Sequence, residues 1–180
     1  MTIIDDDNAA WLRKVVDAVG WPGNSVVGEE GAHAAWLLAQ HADRYPSFQR
    51  RCLKLLEQAV AQGDASPADL ACLTDRALLA KGKQQVYGTQ MTARDGRFVA
   101  CRLRDSETVD DRRASVGFEP LESYLQRALD QYGVPAPARM LCQSCSREIE
   151  IWLPEGGGRV TCKCPSCGFT ATLRAYFPGA

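Results

Sequence analysis

The chain has 180 residues, 46% of them hydrophobic and 24% charged, with a formal net charge of -1. That balance suits a soluble globular protein and disfavours both a disordered chain and one drawn to nucleic acid by bulk charge. No uninterrupted apolar stretch approaches the ~20 residues a bilayer demands, so no membrane partner is expected.

The first residues, Met1-Thr-Ile-Ile-Asp-Asp-Asp, are acidic where a secretion signal is basic, which points to the cytoplasm. Asp7 or Asn8 can cap a first helix in which Trp11, Leu12, Val15, Val16 and Val19 recur at helical spacing until Gly20 stops it. Trp21-Pro22-Gly23-Asn24 reads as a turn. A second helix is expected from about Glu29 to Ala42, with Trp36, Leu37 and Leu38 turned inward; both histidines of the chain, His33 and His41, lie on it.

Pro46 suits the first turn of a third helix, whose apolar stripe of Phe48, Cys52, Leu55, Leu56 and Ala59 is closed by Gly63. Ser66-Pro67-Ala68-Asp69 resembles a capping box and opens a fourth helix through Leu70, Leu73 and Ala77 to Gly82. The period then changes to two. Val86 to Met91 and Phe98 to Leu103 flank Arg94-Asp95-Gly96-Arg97, and Asp-Gly between such runs predicts a β-hairpin. Pro120 starts a last helix with Leu121, Tyr124, Leu125, Ala128 and Leu129 inward, after which Gly133-Val-Pro-Ala-Pro-Ala138 forms a stiff linker. The expected fold class is α+β: a mainly helical domain with one β-hairpin over residues 1–134, then a small three-stranded zinc ribbon over 135–180.

Two cysteine pairs carry the second domain. Cys142-Gln-Ser-Cys145 and Cys164-Pro-Ser-Cys167, with eighteen residues between them, have zinc-ribbon spacing. Four thiolates close a tetrahedral site and leave no position for a reacting water, so the zinc is expected to be structural. Arg147 to Leu153, Arg159 to Lys163 and Phe169 to Tyr176 offer three strands around a turn at Gly156-Gly157-Gly158. Cys162 lies outside the paired knuckles and ranks below the four ligands, while Cys52, Cys72 and Cys101 sit singly at apolar positions and read as core filler.

The larger domain carries a set of short motifs: Gly20-Trp21-Pro22, Gln40-His41-Ala42-Asp43, Asp75-Arg76, Gln85-Val86-Tyr87-Gly88-Thr89-Gln90 and Val109-Asp110-Asp111-Arg112-Arg113 with Val116-Gly117-Phe118. Together they resemble a bacterial domain family of unknown function, frequent in actinobacteria and marked by its GWP, QHAD and YGTQ motifs. The resemblance spans about residues 5 to 130 and implies a mainly helical fold, with no activity attached; the zinc ribbon lies outside it.

Physical chemistry ranks the motif residues further. His33, Trp36, Leu37 and Gln40 share one helical stripe with His41 at its edge and Asp43 just beyond, so an imidazole oriented by a carboxylate can serve as a general base or a metal ligand. Capping of the helix end by His41 and Asp43 is the structural alternative. Gln84 to Gln90 reads as a strand with too many glutamines, and such violations of local preference concentrate at functional sites. Its alternation puts Gln85, Tyr87 and Thr89 on one face, and a solvated edge strand is the alternative. Asp75 is expected to pair with an arginine, while Arg76 or Arg113, if free in a cavity, would select an anion. The leading expectation is an enzyme or ligand-binding domain that handles a small polar, possibly anionic, molecule by acid/base chemistry. His41, Asp43, Gln85, Tyr87 and Gln90 are its catalytic set, with His33, Arg76 and Arg113 binding the ligand. An interaction module docking a protein partner through the ribbon is the second reading, and nucleic-acid binding through the ribbon the third.

Overall fold

The structure, a computed structural model, describes residues 3–94, 96–133, 138–151 and 158–175. Four helices come first, as the apolar periodicity predicts: α1 (Ile3–Val19), α2 (Asn24–Gln40), α3 (Pro46–Ala61) and α4 (Pro67–Ala80). α1 starts before the expected cap and buries Leu12 and Val16, leaving Trp11 58% and Val19 57% exposed. α2 packs against the other three helices through Ala32, Ala35 and Ala39, and Leu37 faces out, contrary to expectation. The stripe of small side chains explains this, since it lets neighbouring backbones come close while bulk is accommodated on the opposite side. α2 also begins earlier than expected, because a first turn from Asn24 joins the longer helix through Gly28, at φ 74° and ψ 169°. Only glycine enters that region at low cost.

Phe48, Cys52, Leu56 and Ala59 form the buried stripe of α3, and the Ser66 hydroxyl accepts the Asp69 N–H at 3.3 Å to start α4 as the capping pattern predicts. Leu12, Val16, Ala39, Cys52, Leu56 and Leu73 lie in one core between the helices.

The chain from Gln84 to Gln90 is not a strand. It is a loop with one isolated bridge, Gln85 to Leu103, and the hairpin lies further on, β1 (Met91–Arg94) pairing antiparallel with β2 (Arg97–Ala100). Asp95 of the predicted turn falls outside the described residues. A 3-10 turn (Ser106–Thr108) leads into α5 (Val109–Ser115), a short helix that the sequence reading did not anticipate, and α6 (Leu121–Tyr132) follows Pro120.

In the cysteine region β3 (Ala138–Leu141) pairs with β4 (Glu148–Ile151), and β5 (Gly158–Lys163) with β6 (Thr170–Ala175), both antiparallel. These are two two-stranded sheets where one of three strands was expected. The unanticipated strand, β3, lies directly after the proline-bearing stretch. Residues 134–137, 152–157 and 176–180, which include most of the expected linker and parts of the expected strands and glycine turn, lie outside the described residues.

The chain divides into two compact units: Met1–Gln90 with Arg102–Leu121, and Met91–Cys101 with Glu122–Ala180. No helix among the described residues is long and apolar enough to cross a membrane.

Candidate functional site

Gln49, Asp75, Gln85 and Arg113 are each at most 2% exposed, an unusual load of polar side chains for a small helical unit. Burial is tolerated only when such groups are bonded, so their partners define the architecture. Asp75, on α4, is the centre. Its carboxylate accepts the backbone N–H groups of Val86 (2.6 Å), Tyr87 (3.1 Å) and Thr89 (3.0 Å) and the Thr89 hydroxyl (3.0 Å). The loop thus closes round a carboxylate as a nest closes round an anion.

The carbonyls of the same loop face two arginines of α5. Arg112 Nε donates to Val86 O at 2.8 Å and Arg113 Nη1 to Tyr87 O at 2.8 Å, while Arg113 Nε reaches Glu119 O at 2.7 Å. Gln85 ties the loop's two ends, its Nε2 donating to Gln90 O (2.9 Å) and its Oε1 accepting Gln90 N–H (3.0 Å). Gly88 turns the loop at φ +70°, where a Cβ would also meet Leu121 Cδ1 at 3.0 Å. Gln85, Gln90 and Gly88, which look wrong for a strand, are what this loop needs.

Along the edge of this network lie its accessible members. Asp43, just past the end of α2, accepts from Arg76 Nε at 2.9 Å and again from Nη2, and Arg76 Nη1 donates to Gln90 Oε1 at 3.3 Å. Gln49 reaches across from α3, donating through Nε2 to Ala39 O, Gln40 O and Asp43 Oδ1, and so caps the C-terminal carbonyls of α2. Burial pushes the Asp43 carboxyl up, but the hydrogen bond and charge of Arg76, aided by Gln49 and His41, outweigh it and hold it below its ordinary value. His41, half-buried at the end of α2, has no hydrogen bond to its imidazole among the described residues. Burial first, and then the charge of Arg76, lower its pKa against the opposing pull of Asp43 and Asp5. Both effects favour the unprotonated imidazole.

Of the candidate residues, the structure brings His41, Asp43, Arg76 and Gln90 together, with Gln85 and Arg113 behind them as buried supports. Tyr87 contributes its peptide group to the nest. Arg113 is engaged with main-chain carbonyls and not turned to a ligand. His33 stands apart, two helical turns from His41 or about 12 Å along α2. Its Nδ1 lies 3.2 and 3.1 Å from the two Asp69 oxygens. Sequence reasoning missed Gln49 and Asp69 as partners. Gln49 carried a signal, an amide beside Phe48 in an apolar stripe.

The four paired cysteines also converge. Their sulfurs lie within 4.8 Å of one another, with Cys142 to Cys167 at 3.6 Å and Cys145 to Cys164 at 3.7 Å, an arrangement that could hold a metal ion. Each knuckle is a tight turn: Cys142 N–H bonds Arg147 O and Ser146 N–H bonds Cys142 O, and the second pair repeats this through Cys164, Phe169 and Gly168. Backbone N–H groups of Cys167 and Ser166 lower the Cys164 thiol to about 6, and Cys167 is lowered too. At Cys145 the lowering by the Arg147 N–H is outweighed by burial and by hydrogen bonds to the neighbouring cysteines, which raise it to about 11. Cys162 instead faces Ala171 O at 3.5 Å, outside the cluster. Cys52 and Cys72 are pushed up to about 12 by burial, as inert core thiols are.

No curated protein and no solved structure matches the chain. One protein family does, over residues 1–136, a span that contains the polar network and ends before the first of the four clustered cysteines. The chain belongs to that family, DUF6624, a family of unknown function.

Proposed function

We propose that the helical domain is an enzyme or ligand-binding domain acting on a small polar molecule by acid/base chemistry, with His41 as the base. The observation that carries this is the imidazole itself: half-buried and without a hydrogen bond among the described residues, beside Arg76, with burial and that charge lowering its pKa. Catalytic bases are tuned in this way, by burial and neighbouring charge. Arg76 and Gln90 supply the donors and acceptors that would orient the molecule, and the Asp75 nest with Gln85 makes the rim rigid, as preorganised sites require. Because Asp43 already neutralises Arg76, an uncharged polar group suits the site better than an anion.

The cysteine cluster is proposed to hold structural zinc. A tetrahedron with Zn–S bonds of about 2.3 Å has sulfur–sulfur edges of about 3.8 Å, close to the spacings across the cluster. A reducing cytoplasm, where thiols remain available to metal, is the compartment this reading implies.

The test uses His41→Ala and a small-molecule library screened by ligand-detected NMR. Molecules that bind the wild type should bind the variant at least about tenfold more weakly, with an unchanged melt, because His41 makes no hydrogen bond to lose. Acid titration supplies a second readout. With its folded pKa lowered, His41 costs nothing above the unfolded value of ~6.5, and below it the unfolded chain protonates first, so the wild type loses stability as pH falls. His41→Ala should lack that loss. Equal binding by both proteins would sink the proposal.

A further inference from the structure

A cavity lies toward the start of α2, with a volume of about 420 Å³ and a floor that includes Leu56 and Ala65. Its polar lining is Asn24, Glu29, His33, Ser66 and Asp69, and among the described lining residues none is a lysine or arginine. His33 is held in place on both sides. Its ring packs on Trp36 with centroids 4.8 Å apart, and Nδ1 faces the Asp69 carboxylate at 3.1 Å. Nδ1 is committed to that carboxylate, and Nε2, the other ring nitrogen, has no hydrogen bond among the described residues and is the atom left to meet a ligand.

Two helices begin at this cavity, yet several of their first-turn amides are already engaged. Asn24 and Ser25 N–H groups go to Asp64 O (2.8 Å) and Asp64 Oδ1 (2.7 Å), and Asp69 N–H goes to the Ser66 hydroxyl. Pro67 has no N–H to offer. An anion would therefore meet two carboxylates, Glu29 and Asp69, and few donors. A cation with several N–H groups would meet acceptors at Glu29, Asn24 and His33 Nε2.

We propose that this cavity is a separate binding site for a small protonated primary amine, its ammonium group paired with Glu29 and donating to His33 Nε2, and its carbon chain resting on Leu56 and Ala65. It is independent of His41, so either site can fail without the other.

The probes are three molecules of matched size: propylammonium, 1-propanol and propionate, added to the full-length protein at constant ionic strength and about pH 7.5, above the ordinary histidine pKa. The readout is the His33 ring resonance, identified by its loss in His33→Gln. Propylammonium should shift it saturably, propanol and propionate should not, and Glu29→Gln should weaken the ammonium roughly tenfold, the loss of one charge-assisted hydrogen bond. Glu29 is exposed, so this variant keeps its fold. The inference is overturned if propylammonium leaves the resonance unmoved, if propionate shifts it as strongly, or if Glu29→Gln binds like the wild type.

Discussion

At the scale of single residues, Asp75 does the most for the fold. A buried carboxylate is costly unless every lone pair finds a donor, and here three peptide N–H groups and a hydroxyl converge on it. Removing it leaves those donors stranded in a closed interior. Asp75→Asn is instructive because the amide keeps the shape but turns two hydrogens toward other hydrogens. We expect it to destabilise the protein by about 3 kcal/mol, from several unsatisfied donors. Urea unfolding should show a lower midpoint with an unchanged slope. A loss below about 1 kcal/mol would mean that the loop is held by something else.

At the scale of elements, the helices were legible and the loop was not. α3 and α4 begin at Pro46 and Pro67 as expected, because helix starts are written locally in proline and capping residues. His41 and Gln90 stand out in sequence as polar groups placed where local preference does not want them, while Asp43 and Arg76 enter through the motifs they belong to. What sequence could not supply was the partner. Asp75 was expected to pair with an arginine, yet it binds the backbone of a loop eleven residues on, and no side-chain pattern marks a backbone donor. The same oversight turned that loop into a strand: Gln85, Val86 and Tyr87 alternate plausibly, and only the nest reveals why extension is broken at Gly88. α5 went unseen because seven residues with one buried apolar side chain, Val109, carry too little periodicity. Gly88→Ala tests the loop directly. The left-handed conformation costs an L-residue about 1 to 2 kcal/mol, and the added methyl meets Leu121, so a fall in thermal midpoint of several degrees is expected. No change on melting would show that the turn does not need glycine.

At the scale of the whole molecule, the two units differ in what holds them. The helical unit has a core of helix-borne residues such as Leu12, Leu56 and Leu73, and it contains none of the clustered cysteines. Around those cysteines the buried residues, among those described, are Cys142, Ile149, Ile151 and Cys164, two of them proposed ligands. β4 alternates, with Ile149 and Ile151 inward and Glu148 and Glu150 in solvent. On the proposed zinc reading, metal–thiolate bonds supply much of the free energy that holds the two hairpins. Metal analysis of purified protein should therefore give one zinc per chain. A strong chelator, or Cys142→Ser, should abolish amide-exchange protection in β3 to β6 while the helical unit keeps a cooperative melt, which also tests the proposed domain start at residue 135. Exchange should return to its original pattern when zinc is restored to the chelated protein. If the hairpins stay protected without metal, the four sulfurs are held by the fold rather than holding it, and the structural zinc assignment fails.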